Sequence, residues 1–177
     1  LIHEWEGLQG GEHLGWAVAG DADINGDGSD DVVVGAPGYD SATTDAGRAR
    51  VYSVKSAYGL IWSLTEVSSV GVGTSVAAFK DLNADGFGDL AYGQPDHPGG
   101  GTERGRVSFI SGQTASMLSA KTGAADFDHY GAAIASLDIT GDGKSDVLVG
   151  APDADANGSS SGTVYAYFNL AGALNLF

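Results

Sequence analysis

An acidic nine-residue loop recurs three times along this chain, as Asp23-Ile-Asn25-Gly-Asp27-Gly-Ser29-Asp-Asp31, Asp81-Leu-Asn83-Ala-Asp85-Gly-Phe87-Gly-Asp89 and Asp138-Ile-Thr140-Gly-Asp142-Gly-Lys144-Ser-Asp146. The first residues of the copies lie 58 and 57 positions apart. A fixed period of that length marks a repeat architecture whose units bury their apolar faces against one another. In each copy, oxygen-bearing side chains stand at positions 1, 3, 5 and 9, with glycine at position 6. That glycine lets the chain turn sharply, with positive φ if required, and a turn of this kind curls several oxygens around one point. Carboxylate, amide, hydroxyl and carbonyl oxygens are hard ligands that suit calcium, which takes 6 to 8 of them in adaptable geometry. Position 7 (Ser29, Phe87 or Lys144) has no common chemistry, which points to its backbone carbonyl as the ligand. Asp, Asn and Gly also cluster in plain turns between strands, but three copies with one internal spacing favour metal, and about three calcium ions are expected.

The loops resemble the first part of an EF-hand, yet position 12 is Val34, Tyr92 or Val149 instead of the bidentate Glu that an EF-hand requires. Calcium β-helices repeat every nine residues and are excluded by the long period. Each loop runs into a short apolar stretch closed by Gly and Pro: Asp31 to Pro37, Asp89 to Pro95 and Asp146 to Pro152. Such stretches read as strands.

Other features fall into register with the loops. An apolar-Gly pair precedes each one (Leu14-Gly15, Val72-Gly73, Tyr130-Gly131) and opens a strand of small and branched residues over 16–19, 74–78 and 132–135. A third strand opens on Gly47, Gly105 or Gly162, and a fourth follows over 60–64 and 115–119. Four short antiparallel strands per unit make a propeller blade. Small residues such as Ala17, Ala77 and Ala133 suit the crowded inner strand, whereas Trp62 and Met117 suit the wide outer one.

The order apolar-Gly, calcium loop, Gly-Ala-Pro closely resembles the FG-GAP repeat of the integrin α-subunit β-propeller. The resemblance covers essentially the whole chain and implies an all-β, calcium-stabilised propeller from an extracellular adhesion or recognition protein. The chain departs from the family pattern at Leu14, Val72 and Tyr130 in the first motif and at Gln94 in the second Gly-Ala-Pro. It departs also at Thr140, which is expected to make the third loop the weakest binder.

The repeats are expected at about 8–64, 65–122 and 123–177, with 1–7 serving as an outer strand of an adjoining blade and Leu170 to Phe177 supplying or replacing the outer strand of the third. Three blades cannot close a ring without exposing two apolar faces. Closure by a second copy and closure by further blades of a longer precursor are both open. The chain starts on Leu1 and stops inside an apolar run, which reads as a processed or excised piece.

Composition narrows the function. A formal charge of −15 repels a phosphate backbone and makes nucleic acid an improbable partner. Without cysteine there is neither a disulfide framework nor thiol chemistry. No apolar run reaches the ~20 residues of a membrane span. Millimolar extracellular calcium would fill loops of moderate affinity, which favours a secreted or cell-surface location. His13 and His129 sit at equivalent repeat positions, which suggests packing or a blade-to-blade hydrogen bond, and His97 reads as solvated. No nucleophile elbow or triad spacing accompanies them. The expected function is therefore non-catalytic: the variable loops 38–46, 96–103 and 153–161 would present a surface to an extracellular protein or a carbohydrate. An accessory domain of a secreted hydrolase, a lectin and a structural spacer are the competing readings.

Overall fold

A computed structural model describes residues 3–67 and 70–168. Among them there are strands and turns and no helix, so none is long and apolar enough to cross a membrane. The first sheet holds β1 (Ala17–Ala19), β2 (Val32–Ala36), β3 (Arg48–Tyr52) and β4 (Leu60–Thr65) in sequence order. The second repeats it with β5 (Ser75–Phe79), β6 (Asp89–Gln94), β7 (Arg106–Ile110) and β8 (Met117–Thr122). The third shows β9 (Ala133–Leu137), β10 (Asp146–Ala151) and β11 (Thr163–Tyr167). Every neighbouring pair is antiparallel. These are blades of a propeller, set side by side without closing.

Each acidic loop joins the first two strands of its blade, and the register fixes its span. Ala19 pairs with Val33, Phe79 with Asp89 and Leu137 with Asp146, so the loop begins where the inner strand ends. The strands form where Val, Ile, Leu and aromatic residues alternate with small ones, and they stop at the Gly-Pro signals. The two outer hairpins each carry a register shift, between Val51 and Tyr52 and between Phe109 and Ile110, which widens the blade toward its rim.

The inner strands β1, β5 and β9 pack against one another in turn. Two cores result. Ile24, Val33, Val51, Val76, Leu90 and Tyr92 seal the first blade to the second. Phe79, Phe109, Tyr130, Val147 and Val149 seal the second to the third. Glycine permits the close approach at each junction: a Cβ on Gly35 would lie 2.0 Å from the Gly73 carbonyl oxygen, and one on Gly93 would lie 2.0 Å from that of Gly131.

Two expectations concern the ends. Residues 3–7 form no strand, while Leu1 and Ile2 lie outside the described residues. Strand pairing needs a ladder partner, and this segment instead lies over the outer hairpin of the first blade. Trp5 Nε1 donates to the Tyr58 carbonyl at 3.0 Å, and its ring stands 4.9 Å from that of Tyr52. The contact parallels Trp62, 57 positions later, whose Nε1 donates to Gly112 O at 2.9 Å in the next blade. The third blade has three strands among the described residues, not four, and the expected outer strand from Leu170 to Phe177 lies outside them.

Candidate metal centres

The three acidic loops fold alike because short side-chain carboxylates capture the backbone amides of their own turn. In the first, Asp23 accepts from the amides of Asp27 (3.0 Å) and Gly28 (2.8 Å), and the Asn25 side-chain oxygen accepts from the Asp27 amide (2.8 Å). Asp27 Oδ1 accepts from the Ser29 amide at 3.1 Å. Asp31 closes the loop from the far side, accepting from the amides of Ile24 (2.9 Å) and Asn25 (3.1 Å).

In the second loop, Asp81 holds the amides of Asp85 (3.2 Å) and Gly86 (2.9 Å), and Asn83 the amide of Asp85 (3.0 Å). Asp85 there holds the Phe87 amide (2.9 Å), and Asp89 that of Leu82 (2.7 Å). The third loop has Asp138 on the amides of Asp142 (3.1 Å) and Gly143 (2.8 Å), Asp142 on that of Lys144 (3.0 Å) and Asp146 on that of Ile139 (2.9 Å). The sixth-position glycines Gly28, Gly86 and Gly143 have φ of +87°, +89° and +83°, as the sharp turn requires.

Thr140 departs from the pattern. Instead of receiving the fifth-position amide as Asn25 and Asn83 do, its hydroxyl donates to Asp138 Oδ1 at 3.4 Å. The side chains of Ser29, Phe87 and Lys144 take no common part, and their amides donate to the fifth-position carboxylate. Phe87 reaches further, since a Cβ on Gly26 would meet its ring at 2.6 Å.

The electrostatics single out the ninth position of the first two loops. Burial pushes the Asp31 carboxyl up to about 6, against the pull of the Asn25 and Ile24 amides, and the like charges of Asp27 and Asp23 add to the rise. Asp89 is likewise pushed up to about 6, chiefly by burial and further by Asp85 and Asp81, despite amide bonds from Leu82 and Gly112. Asp27 goes the other way: burial is outweighed by hydrogen bonds from Asn25, Ser53 and the Ser29 amide and by the Lys55 ammonium, which hold it below the usual carboxylate range. Asp138 is held low first by the Gly143 amide.

The donor set of each loop is oxygen only, and its amide bonds leave lone pairs on every carboxylate, so the residues fit a hard cation in kind. Among the described residues, however, no three His, Asp or Glu side chains already surround one point.

Several participants carry no signal in the loop pattern. Ser53 Oγ donates to Asp27 Oδ2 at 2.9 Å, and Lys55 Nζ donates to the Asp27 carbonyl, both from the turn after β3. Gly112 plays a similar part in the second blade, its amide donating to Asp89 Oδ1 at 3.0 Å. Outside the loops, His129 bridges blades as its repeat position suggested: Nδ1 lies 2.9 Å from Asp153 Oδ2 and Nε2 3.4 Å from Glu103 Oε2. His97 is half-buried, not solvated. Its Nδ1 accepts from the Gly99 amide at 2.9 Å, and its Nε2 lies 3.2 Å from Arg106.

The recurring geometry has a counterpart among known families, because the FG-GAP repeat model matches residues 14–52, 72–110 and 130–167. This chain belongs to the FG-GAP repeat family. The matches run from the apolar-Gly pair to the end of the third strand of each blade, and so enclose all three loops. Phosphatidylinositol-glycan-specific phospholipase D of Rattus norvegicus is 32% identical over 88% of the chain, which covers 20% of that protein. Integrin alpha-PS5 of Drosophila melanogaster is 33% identical over 88% of the chain and 16% of the relative. Integrin alpha-5 of Xenopus laevis is 35% identical over 63% of the chain and 11% of the relative. The FG-GAP chain thus spans a fifth or less of these relatives.

Proposed function

We propose that this FG-GAP chain is a calcium-stabilised, non-catalytic recognition module of a secreted or cell-surface protein. The observation that supports it most is the thrice-repeated loop, with Asp, Asn or Thr, Asp and Asp at positions 1, 3, 5 and 9 of one turn. Asp23, Asn25, Asp27 and Asp31 hold one ion, Asp81, Asn83, Asp85 and Asp89 a second, and Asp138, Thr140, Asp142 and Asp146 a third, joined by the carbonyls of Ser29, Phe87 and Lys144. An ion drawn into each loop compensates the buried ninth carboxylate and fixes the bend between inner strands, and with it the loops at the opposite end of the same strands.

Those opposite loops form the recognition surface. Between the first two blades a groove of about 490 Å³ is lined by His13, Trp16, Pro37, Asp45, Thr74 and Asp96, and Trp16 is largely exposed there. An exposed indole beside two carboxylates suits a sugar ring or a basic, aromatic-poor protein loop. Kinship to phosphatidylinositol-glycan-specific phospholipase D favours a second reading, an accessory domain carried by a hydrolase.

Glycan and extracellular-protein arrays probed in calcium and in chelator test the reading. Binding that needs calcium and is lost in Trp16→Ala supports it. Binding indifferent to chelator, or hydrolysis of a phosphatidylinositol-glycan by this chain alone, contradicts it.

A further inference from the structure

Of the five asparagines in the chain, only Asn157 has a hydroxyl residue two positions on, in Asn157-Gly158-Ser159, with no proline between them. That tripeptide is the acceptor motif for N-linked oligosaccharide, which needs a surface loop in a secreted chain. The motif lies in the loop from β10 to β11, where every residue from Asp155 to Ser161 is exposed.

The loop is shaped by groups other than the two that the modification uses. The Ser160 amide donates to Asp155 Oδ1 at 2.7 Å, the Asn157 backbone amide to Ser161 Oγ at 3.0 Å and the Ser161 amide to the Gly158 carbonyl at 3.2 Å. Among the described residues, neither the side-chain amide of Asn157 nor the hydroxyl of Ser159 makes a hydrogen bond. Gly158 between them has φ of +129°, and a Cβ there would meet nothing within 4 Å. Asn25 and Asn83 differ on both counts, since Asp27 and Asp85 stand two positions on and their side-chain oxygens accept the amides of those same residues.

The position stays clear when another blade is seated beside the loop. Gly162 follows Pro152 by ten residues, as Gly47 follows Pro37 and Gly105 follows Pro95, so the three loops correspond residue for residue. The first two abut the next blade: the Val72 amide donates to Ala46 O at 3.1 Å, and the Tyr130 amide to Arg104 O at 3.0 Å. Even so, Ala42 and Gly100, the counterparts of Asn157, are exposed, as are Thr44 and Thr102, the counterparts of Ser159. A Cβ on Gly100 would meet nothing within 4 Å. A bulky group at this position therefore stands outside the blade junction, with or without a neighbouring blade.

We propose that Asn157 carries an N-linked oligosaccharide, with Ser159 as the hydroxyl by which the acceptor is recognised. The proposal rests on the secreted or cell-surface reading above, because the modification belongs to the secretory route. The donor is an oligosaccharide on a polyprenyl diphosphate, brought by an oligosaccharyltransferase. A bond forms from Asn157 Nδ2 to the anomeric carbon, the bond from that carbon to the diphosphate oxygen breaks, one amide proton is lost and the polyprenyl diphosphate leaves. The glycan then stands at the end of the strands opposite the acidic loops, on the third blade, and leaves the groove between the first two blades open to its ligand.

Secretion of the 177-residue chain from cultured animal cells, behind a cleavable signal sequence, tests this. Chain purified from the medium should exceed 17.8 kDa and return to that mass on treatment with peptide-N-glycosidase, which leaves aspartate at 157. Asn157→Gln and Ser159→Ala should each lose the added mass, and Ser159→Thr should keep it. All three alter exposed side chains, so each variant should keep the wild-type circular dichroism spectrum. Secreted chain that is bare at Asn157, or added mass that survives Asn157→Gln, would overturn the proposal. A glycosylated chain that has lost its strand spectrum would do so as well, since the glycan would then not fit the folded surface. The signal sequence imposes the secretory route, so a bare chain in the medium counts against Asn157 and leaves the secreted reading untouched. Loss of calcium-dependent ligand binding counts against that reading and not against Asn157 as an acceptor.

Discussion

The amide of Gly88 donates to the carbonyl of Asp23 at 2.7 Å, so the second acidic loop rests directly on the first. Phe87 strengthens the contact by laying its ring against Gly26. The third loop is reached from the second blade by a side chain instead, with the Lys80 amide donating to Ser145 Oγ at 3.2 Å. Backbone-to-backbone contact transmits a loop's closure more rigidly than a rotatable hydroxyl does. On the proposed function, calcium held at the first two loops should therefore be coupled. Calorimetric titration of Asp85→Ala should show one site lost and one of the two remaining weakened about fivefold or more, the range expected for coupled sites. Two undisturbed remaining sites would refute the coupling.

Glu12 is buried between Arg48, whose guanidinium lies 3.0 Å away, and Arg50 at 3.4 Å, and it also accepts from the amides of Leu8 (2.6 Å) and Gln9 (3.1 Å). Removing it leaves two buried guanidinium groups without their anion. Glu12→Ala should cost about 3–5 kcal/mol in denaturant unfolding. Burial raises the Glu12 carboxyl, but the Leu8 amide, Arg48 and the Gln9 amide outweigh it and hold the group below 4.5. A depressed acid contributes stability that is present above the unfolded value and lost as pH falls through the folded one. The wild type should therefore lose stability as pH drops below about 4.5, with a slope that Glu12→Gln flattens.

Ala84 occupies the fourth loop position with φ of +61°, where the other loops place Gly26 at +73° and Gly141 at +74°. The left-handed conformation costs a residue with a Cβ about 1–2 kcal/mol, partly offset by the greater unfolded-state freedom of glycine. Ala84→Gly should raise the stability of the chain by up to about 1 kcal/mol in thermal or urea unfolding.

Blade count, strand order and the position of each bend were legible in the chain because they are written locally. The apolar-Gly pair, the acidic loop and the Gly-Pro stop each act within ten residues, and strand ends fell within one to three residues of their expected places, as at Leu60–Thr65 against 60–64. What escaped depends on contacts between distant segments. Glu12 gives no local sign of meeting Arg48, 36 residues on. Ser53 and Lys55 lie in an ordinary turn, and only the fold carries that turn to Asp27. His97 was misjudged for the same reason, since Arg106, from the next strand, shields a ring that its Pro- and Gly-rich neighbourhood would leave in water. At the N-terminus the repeat alignment gave residues 1–7 an outer strand, whereas residues 3–7 form none, because a strand needs a ladder as well as a suitable sequence.

Thr140 spends its hydroxyl on Asp138, whereas Asn25 and Asn83 accept from the fifth-position amide. Thr140→Asp should tighten the calcium site proposed at the third loop by adding a carboxylate. In a titration able to separate the sites, the weakest step should strengthen by about tenfold, equivalent to ~1.4 kcal/mol.

The measurement that bears most directly on the account is isothermal calorimetry of chelator-stripped protein with calcium, paired with a melting curve. An ion held only by the folded chain stabilises it by mass action. Stoichiometry should approach three, with a raised Tm, and Asp27→Ala should remove one site while Asp30→Ala, outside the 1-3-5-9 pattern, removes none. Stripped protein that takes up no calcium and melts at the same temperature with and without it would contradict the account.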